Sequence, residues 1–196
     1  MSPPARLHLA SASPRRAELL DQLGLAHGAI DAAVDETHRA GETPADYVER
    51  VATAKAAAGA GVAGLPAEGA LALGADTTIE LGGRLLGKPN DADEARSWLT
   101  ALSGRSHDVL SAVAGCDGRH SACRVSRTTV TMRVIPPEEI EAYLATGEPE
   151  GKAGAYAIQG RAAVFVARLE GSYSAVMGLP LHETDQILKA FGWSAL

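Results

Sequence analysis

The residues able to do chemistry gather where the apolar segments of this chain are interrupted. Ser11 and Ser13 lead into Arg15 and Arg16, at what reads as the first turn of a helix. Cations are disfavoured there, because the positive end of the helix dipole lies at the N-terminus. Two guanidinium groups beside free backbone N–H groups and two hydroxyls suit an anion; the plainer reading is a solvated basic face. Asp35 and Glu36 form an acidic pair in a loop, which ordinary solvated charge would also explain. Asp76 follows Gly74-Ala75 where an apolar stretch breaks, either as a turn residue or as a functional acid at the end of a strand. Lys88 is held extended by Pro89, and Lys55 and Lys152 add further cations. Taken together, the set supplies cations for phosphate and carboxylates for a hard divalent ion. Those are the parts of phosphoryl chemistry with Mg²⁺ or Mn²⁺. There is no Walker-type loop, so the chain is not a P-loop enzyme. The six histidines are scattered and make no Ser-His-Asp or Cys-His grouping.

These residues need elements to hold them. Leu7–Ala10 reads as a buried strand, followed by a helix with Ser13 as N-cap, Pro14 at its first position and Gly24 as its stop. A second strand is expected near Ala29–Val34. A second helix is expected from Thr43-Pro44 to about Ala58, with Tyr47, Val48, Val51 and Ala54 facing inward. The stretch from Ala70 to Gly83 reads as a strand, a break at Gly74–Thr77, a second strand and a turn at Gly82-Gly83. Asp91–Leu102 has the pattern of a helix. Ser106–Gly115 and Ser121–Val134 alternate as two long strands about an Asp117-Gly118 turn, with Ser126, Thr128, Val130 and Met132 sharing one face. A helix from Pro136 to about Thr146, a loop over Gly147–Ala155, a strand over Ala162–Arg168, a loop over Gly171–Gly178 and a last helix over Pro180–Phe191 complete the pattern. Strands and helices mix without strict alternation, which predicts α/β or α+β with a mixed sheet.

A length of 196 residues fits one domain, or two small lobes sharing one sheet. Folding at that length buries roughly 70% of the unfolded surface, enough for a core without staples. Only 4% of residues are aromatic, so the core must be built from Ala, Leu, Val and Ile. A net charge of −6 argues against a protein that coats nucleic acid. It leaves room for a small phosphorylated ligand in a locally positive site. Cys116 and Cys123 lack a His partner at zinc-ligand spacing and read as hairpin or core residues. The N-terminus has no signal-peptide pattern and no run is long enough to span a bilayer, so the chain is read as cytoplasmic.

The order and spacing of several segments together resemble the Maf family of nucleoside triphosphate pyrophosphatases. They are Leu9-Ala10-Ser11-Ala12-Ser13-Pro14-Arg15-Arg16, Asp35-Glu36, Ala54-Lys55-Ala56, Gly74-Ala75-Asp76-Thr77, Gly87-Lys88-Pro89, Leu102-Ser103-Gly104, Gly147-Glu148-Pro149 through Lys152-Ala153-Gly154-Ala155-Tyr156-Ala157-Ile158-Gln159-Gly160, Gly171-Ser172-Tyr173 and Val176-Met177-Gly178-Leu179-Pro180. The resemblance implies an α/β fold over residues 1–196: a mixed twisted sheet flanked by helices, two lobes around a cleft, as in inosine triphosphate pyrophosphatases. It implies cleavage of a nucleoside triphosphate between the α and β phosphates, with Mg²⁺ or Mn²⁺, in a house-cleaning role. Ser13-Pro14-Arg15-Arg16 and Ala155-Tyr156-Ala157-Ile158-Gln159-Gly160 look like the branch preferring dTTP and UTP, although Ala157 stands where glycine is frequent. By the same resemblance Asp76 is the general base, and Glu36 with Asp76 holds the metal. Ser11, Arg16, Lys55 and Lys88 engage phosphates, and Arg15, Thr77 and Gln159 set base preference. The resemblance allows a homodimer. It leaves open modified pyrimidine nucleotides, methylated or purine nucleotides, and a non-catalytic nucleotide-binding regulator of septum formation.

Overall fold

The computed structural model describes residues 6–66 and 69–195. Its elements in chain order are β1 (Leu7–Ala10), α1 (Pro14–Asp21), β2 (His27–Ala29), α2 (Pro44–Val62), β3 (Leu71–Leu81), β4 (Arg84–Leu86), α3 (Ala92–Leu102), β5 (Ser106–Cys116), β6 (Ser121–Met132), α4 (Pro137–Leu144), β7 (Val166–Glu170), α5 (Tyr173–Met177) and α6 (Leu181–Ala190). Among the described residues the strands form one seven-stranded sheet in the order β2-β1-β3-β5-β6-β7, with β4 paired to β3. It is mixed: β1 runs parallel to β2 and β3, while β3/β4 and β6/β7 are antiparallel. The expected α/β class with a mixed sheet is what the chain adopts.

The chain divides into two compact units, one built from residues up to 76, 111–126 and 178 onward, the other from 77–110 and 127–177. In the first unit the core is built mainly of Leu, Val and Ala, with Ile187 of α6 also fully buried. Leu7, Leu9, Leu20, Leu71 and Leu73 are fully buried with Val48, Val51, Ala52 and Ala56 of α2. Gly74 lets α2 lie directly on β3, since a Cβ there would meet the Ala52 carbonyl oxygen at 2.3 Å and the Ala56 nitrogen at 2.4 Å. Gly59 repeats the device against Ala10 and Ala72. In the second unit Ile79, Leu86, Trp98, Leu99, Leu102, Met132, Ile140, Tyr143 and Phe165 form a separate apolar cluster.

Several expectations move. β2 is His27–Ala29 rather than Ala29–Val34. The loop that follows the expected strand is held by α2: Arg50 donates to the carbonyls of Asp35 and Thr37, and Tyr47 to that of Glu36. α2 extends to Val62, past Gly59, which packs closely on Ala10 and Ala72, and its buried stripe includes Val48, Val51, Ala52, Lys55 and Ala56, with Tyr47 and Ala54 at the margins. The break expected at Gly74–Thr77 does not occur; β3 is one continuous strand of 11 residues through Asp76. The apolar run from Ala162 begins as a 3-10 turn, Arg161–Phe165, and becomes strand only at Val166. The loop expected over Gly171–Gly178 contains α5, whose start is held by the Ser172 hydroxyl accepting from the Ala175 N–H. Cys116 and Cys123 are free thiols.

Candidate active site

The first unit brings together five of the residues singled out above: Ser11, Arg16, Glu36, Lys55 and Asp76. Asp76 is in the middle of β3 and only 6% exposed, and Lys55 on the inner stripe of α2 is 8% exposed. The two face each other because Gly74 brings α2 so close to the strand. Lys55 Nζ donates to Asp76 Oδ1 at 2.9 Å and pairs with Glu36 Oε1 at 2.8 Å. A charged hydrogen bond in a buried setting is stronger than its exposed counterpart. Glu36 is the open member of the trio, with 45% of its side chain exposed.

The acidic pair is thereby split. Glu36 turns to Lys55, while the Asp35 carboxylate accepts from the Thr37 N–H at 2.9 Å and shapes the loop. The loop is tied to α2 by Arg50, which also forks onto Glu42 at 2.6 and 3.0 Å. That guanidinium pulls the Glu42 carboxyl down to about 2. Tyr47 Oη donates to the Glu36 carbonyl at 3.0 Å. Burial, with the nearby Asp76 and Glu36 charges, pushes the Tyr47 phenol up to about 12, so it stays a neutral donor.

Arg16 approaches the same carboxylates from α1. Its Nε donates to the Gly178 carbonyl at 2.8 Å and its Nη1 to Ser11 Oγ at 3.2 Å. Burial lowers the Arg16 pKa, and the Asp76 and Glu36 charges oppose that shift. Ser11 Oγ also accepts from the Ser13 N–H at 3.2 Å, while Ser13 makes no side-chain cap. Arg15 is half-buried on the same turn, its charge felt by Arg16. Glu36 and Asp76 offer two hard oxygen donors beside one ammonium. Among the described residues no group of three or more His, Cys, Asp or Glu is placed to hold a metal ion. Two carboxylates fit a hard dication that takes its remaining ligands from phosphate and water.

The second unit carries the other three. Thr77 follows Asp76 on β3 and is half-buried, Lys88 is exposed just after β4, and Gln159 is exposed at the tip of a turn whose neighbours Tyr156, Ala157 and Ile158 are buried. The Gly154 N–H donates to the Gly87 carbonyl at 2.9 Å, joining the segment before Gln159 to the one before Lys88.

Sequence reasoning missed Tyr47, Arg50, Tyr143 and Glu148, which hold the loops carrying Glu36 and Gln159. Tyr47 and Arg50 lie one helical turn apart, which placed both on one face of α2 but did not say what they reach.

The family model described as Maf-like protein matches residues 6–191. A dTTP/UTP pyrophosphatase of Chromobacterium violaceum is 51% identical over 191 residues, which cover 96% of this chain and 96% of that one. Relatives of the same name from Aromatoleum aromaticum and Pelotomaculum thermopropionicum are 49% and 50% identical, each covering 96% of this chain and 97% of its own. A match of that extent, on a chain that sets Ser11, Arg16, Glu36, Lys55 and Asp76 into one cluster, means that this chain belongs to the Maf family.

Proposed function

We propose that the chain hydrolyses dTTP and UTP to the nucleoside monophosphate and pyrophosphate. The observation that carries this reading is the ion-paired cluster of Glu36, Lys55 and Asp76, with the Arg16 guanidinium set beside it. Relatives about half identical in sequence carry the name dTTP/UTP pyrophosphatase.

In this reading Asp76 is the general base. It accepts a proton from water as the oxygen forms its bond to the α-phosphorus, and the bond to the β-phosphate oxygen breaks with release of pyrophosphate. Lys55 positions that carboxylate and, with Ser11, Arg16 and Lys88, meets phosphate oxygens. Arg16 arrives preorganised, since its contacts to Ser11 and Gly178 already fix the plane of its guanidinium. Glu36 and Asp76 would hold Mg²⁺ or Mn²⁺, which when bound supplies charge stabilisation on the phosphate oxygens.

Arg15, Thr77 and Gln159 choose the base. The Gln159 amide offers one donor and one acceptor face, which match O4 and N3–H of uracil or thymine. A site built on such hydrogen bonds rejects analogues that leave them unpaired. In the same reading the protein acts in the cytoplasm in a house-cleaning role, and the family resemblance allows a homodimer. No helix among the described residues is long and apolar enough to cross a membrane.

A triphosphate panel with product identification tests the proposal. The purified protein with Mg²⁺ or Mn²⁺ should release pyrophosphate from dTTP and UTP, and modified pyrimidine triphosphates belong in the same panel. Release of orthophosphate alone would overturn the cleavage site. Turnover of dTTP no faster than of 7-methyl-GTP would overturn the base preference. Binding of UTP without turnover would leave a non-catalytic regulator.

A further inference from the structure

Gln159 is exposed, yet the backbone on both sides of it is fixed by one phenol and one carboxylate. On the N-terminal side the Ala157 N–H donates to Tyr143 Oη at 3.3 Å. On the C-terminal side the Arg161 N–H donates to Glu148 Oε2 at 3.0 Å and the Ala162 N–H to Glu148 Oε1 at 3.3 Å. The two anchors are themselves joined, since Tyr143 Oη donates to Glu148 Oε1 at 2.9 Å. Between them the Gly160 N–H closes a turn onto the Ala157 carbonyl at 3.0 Å. The carboxylate lies against this backbone so closely that a Cβ on Gly160 would meet its Oε2 at 2.4 Å.

Neither anchor is free to drift. Tyr143 is 3% exposed and packs edge-on against Phe165, with ring centroids 5.4 Å apart. Burial raises the Glu148 pKa, but the Arg161, Tyr143 and Ala162 donors and the Lys152 charge outweigh it and leave the carboxyl below its ordinary value. The backbone entering the turn is strained as well: Ala155 holds a left-handed φ of 62°. A residue with a Cβ stays there only where its surroundings over-determine it.

We propose that Glu148 and Tyr143 are positioning residues for base selection, fixing the 157–162 backbone so that the Gln159 amide meets the pyrimidine edge in one orientation. The inference rests on the reading of Gln159 as the residue that reads the base. Neither side chain touches substrate; both act through the turn they hold.

The test compares kcat/KM for dTTP and dCTP, which differ at the edge Gln159 would read. Tyr143→Phe keeps the ring against Phe165 and removes only the hydroxyl; Glu148→Gln keeps the shape and removes an acceptor. Each is expected to lower the dTTP/dCTP preference by about ten-fold or more, the loss appearing in KM for dTTP, because small misplacements of a recognition group are costly. In a Gln159→Ala background Tyr143→Phe should change the preference no further. Equal losses on both substrates, an unchanged preference in Tyr143→Phe, or additive losses in the double variant would overturn the proposal. If Gln159→Ala itself keeps the preference, the reading of Gln159 fails and the proposal falls with it. If Gln159→Ala loses the preference while Tyr143→Phe and Glu148→Gln keep it, only the positioning role falls.

Discussion

Lys55 Nζ lies 2.9 Å from Asp76 Oδ1, and the same nitrogen lies 2.8 Å from Glu36 Oε1. One ammonium therefore holds a buried carboxylate of β3 and the open carboxylate of the loop before α2. Asp76→Asn separates holding from proton transfer. The amide oxygen can still accept from Lys55, so the fold should survive, but the group can no longer take a proton from water. We expect kcat for pyrophosphate release from dTTP to fall at least about 10²-fold, the range usual for loss of a general base. Full activity in this variant would remove Asp76 from the mechanism.

Removing the lysine should act on stability instead. Lys55→Met leaves Asp76 buried without its ammonium, and loss of one partner of a buried pair costs about 3 kcal/mol. Urea denaturation would read this directly. The double variant Lys55→Met/Asp76→Leu should recover most of the loss, because well-packed apolar side chains often replace a buried pair at little cost. A single variant as stable as the parent would mean that the pair does not hold α2 to β3.

What could be read in advance follows from the range of the interactions. Thr43 caps α2 by accepting from the Asp46 N–H, and Asp91 caps α3 by accepting from the Glu94 N–H; both are contacts three residues long, written in the local pattern. The common face of Ser126, Thr128, Val130 and Met132 on β6 was legible for the same reason, since they keep the period of a strand, but the pattern did not say that this face is the buried one. Gly74 misled because a glycine in a strand reads as a break until the helix lying on it is known. The run from Ala162 misled because its first turn is set by Glu148, more than ten residues away. At the site, residue types and the family resemblance named Glu36, Lys55 and Asp76, but spacing alone could not say that one ammonium joins them.

His107 gives the protein a pH dependence that can be isolated. Its ring is 3% exposed, Nε2 lies 2.8 Å from Tyr156 Oη, and Nδ1 has no partner among the described residues. Burial pushes its pKa from 6.5 down to about 4, against the opposing charge of Asp108. Between those values the unfolded chain binds the extra proton, so stability rises with pH through the window. The contribution is fully present above about pH 6.5 and is lost as pH falls towards 4, on the order of 3 kcal/mol in total. His107→Gln keeps a polar partner for Tyr156 without titrating. The stability difference between parent and variant, measured by denaturation at each pH, should be constant above pH 7 and should shift against the parent below about 6.5. A difference that stays flat down to about pH 4 would show that the imidazole is not held neutral.

Arg16 is where charge and shape can be told apart. Its guanidinium reaches the Gly178 carbonyl through Nε and Ser11 Oγ through Nη1, two acceptors in fixed directions. Lys keeps the charge but presents it as a point on a flexible stem, and it cannot reproduce the planar fork. Arg16→Lys should therefore leave one of the two acceptors unmatched, costing about 1 to 2 kcal/mol of stability. If the fork also presents its remaining donors to phosphate, KM for dTTP should rise about ten-fold, the size of one charge-assisted hydrogen bond lost. Ser11→Ala removes only one of the two acceptors and should cost less in both measurements. An Arg16→Lys enzyme with parental KM but lowered stability would confine Arg16 to holding Gly178 and Ser11 in place. Parental stability with a raised KM would instead assign it to the phosphates alone.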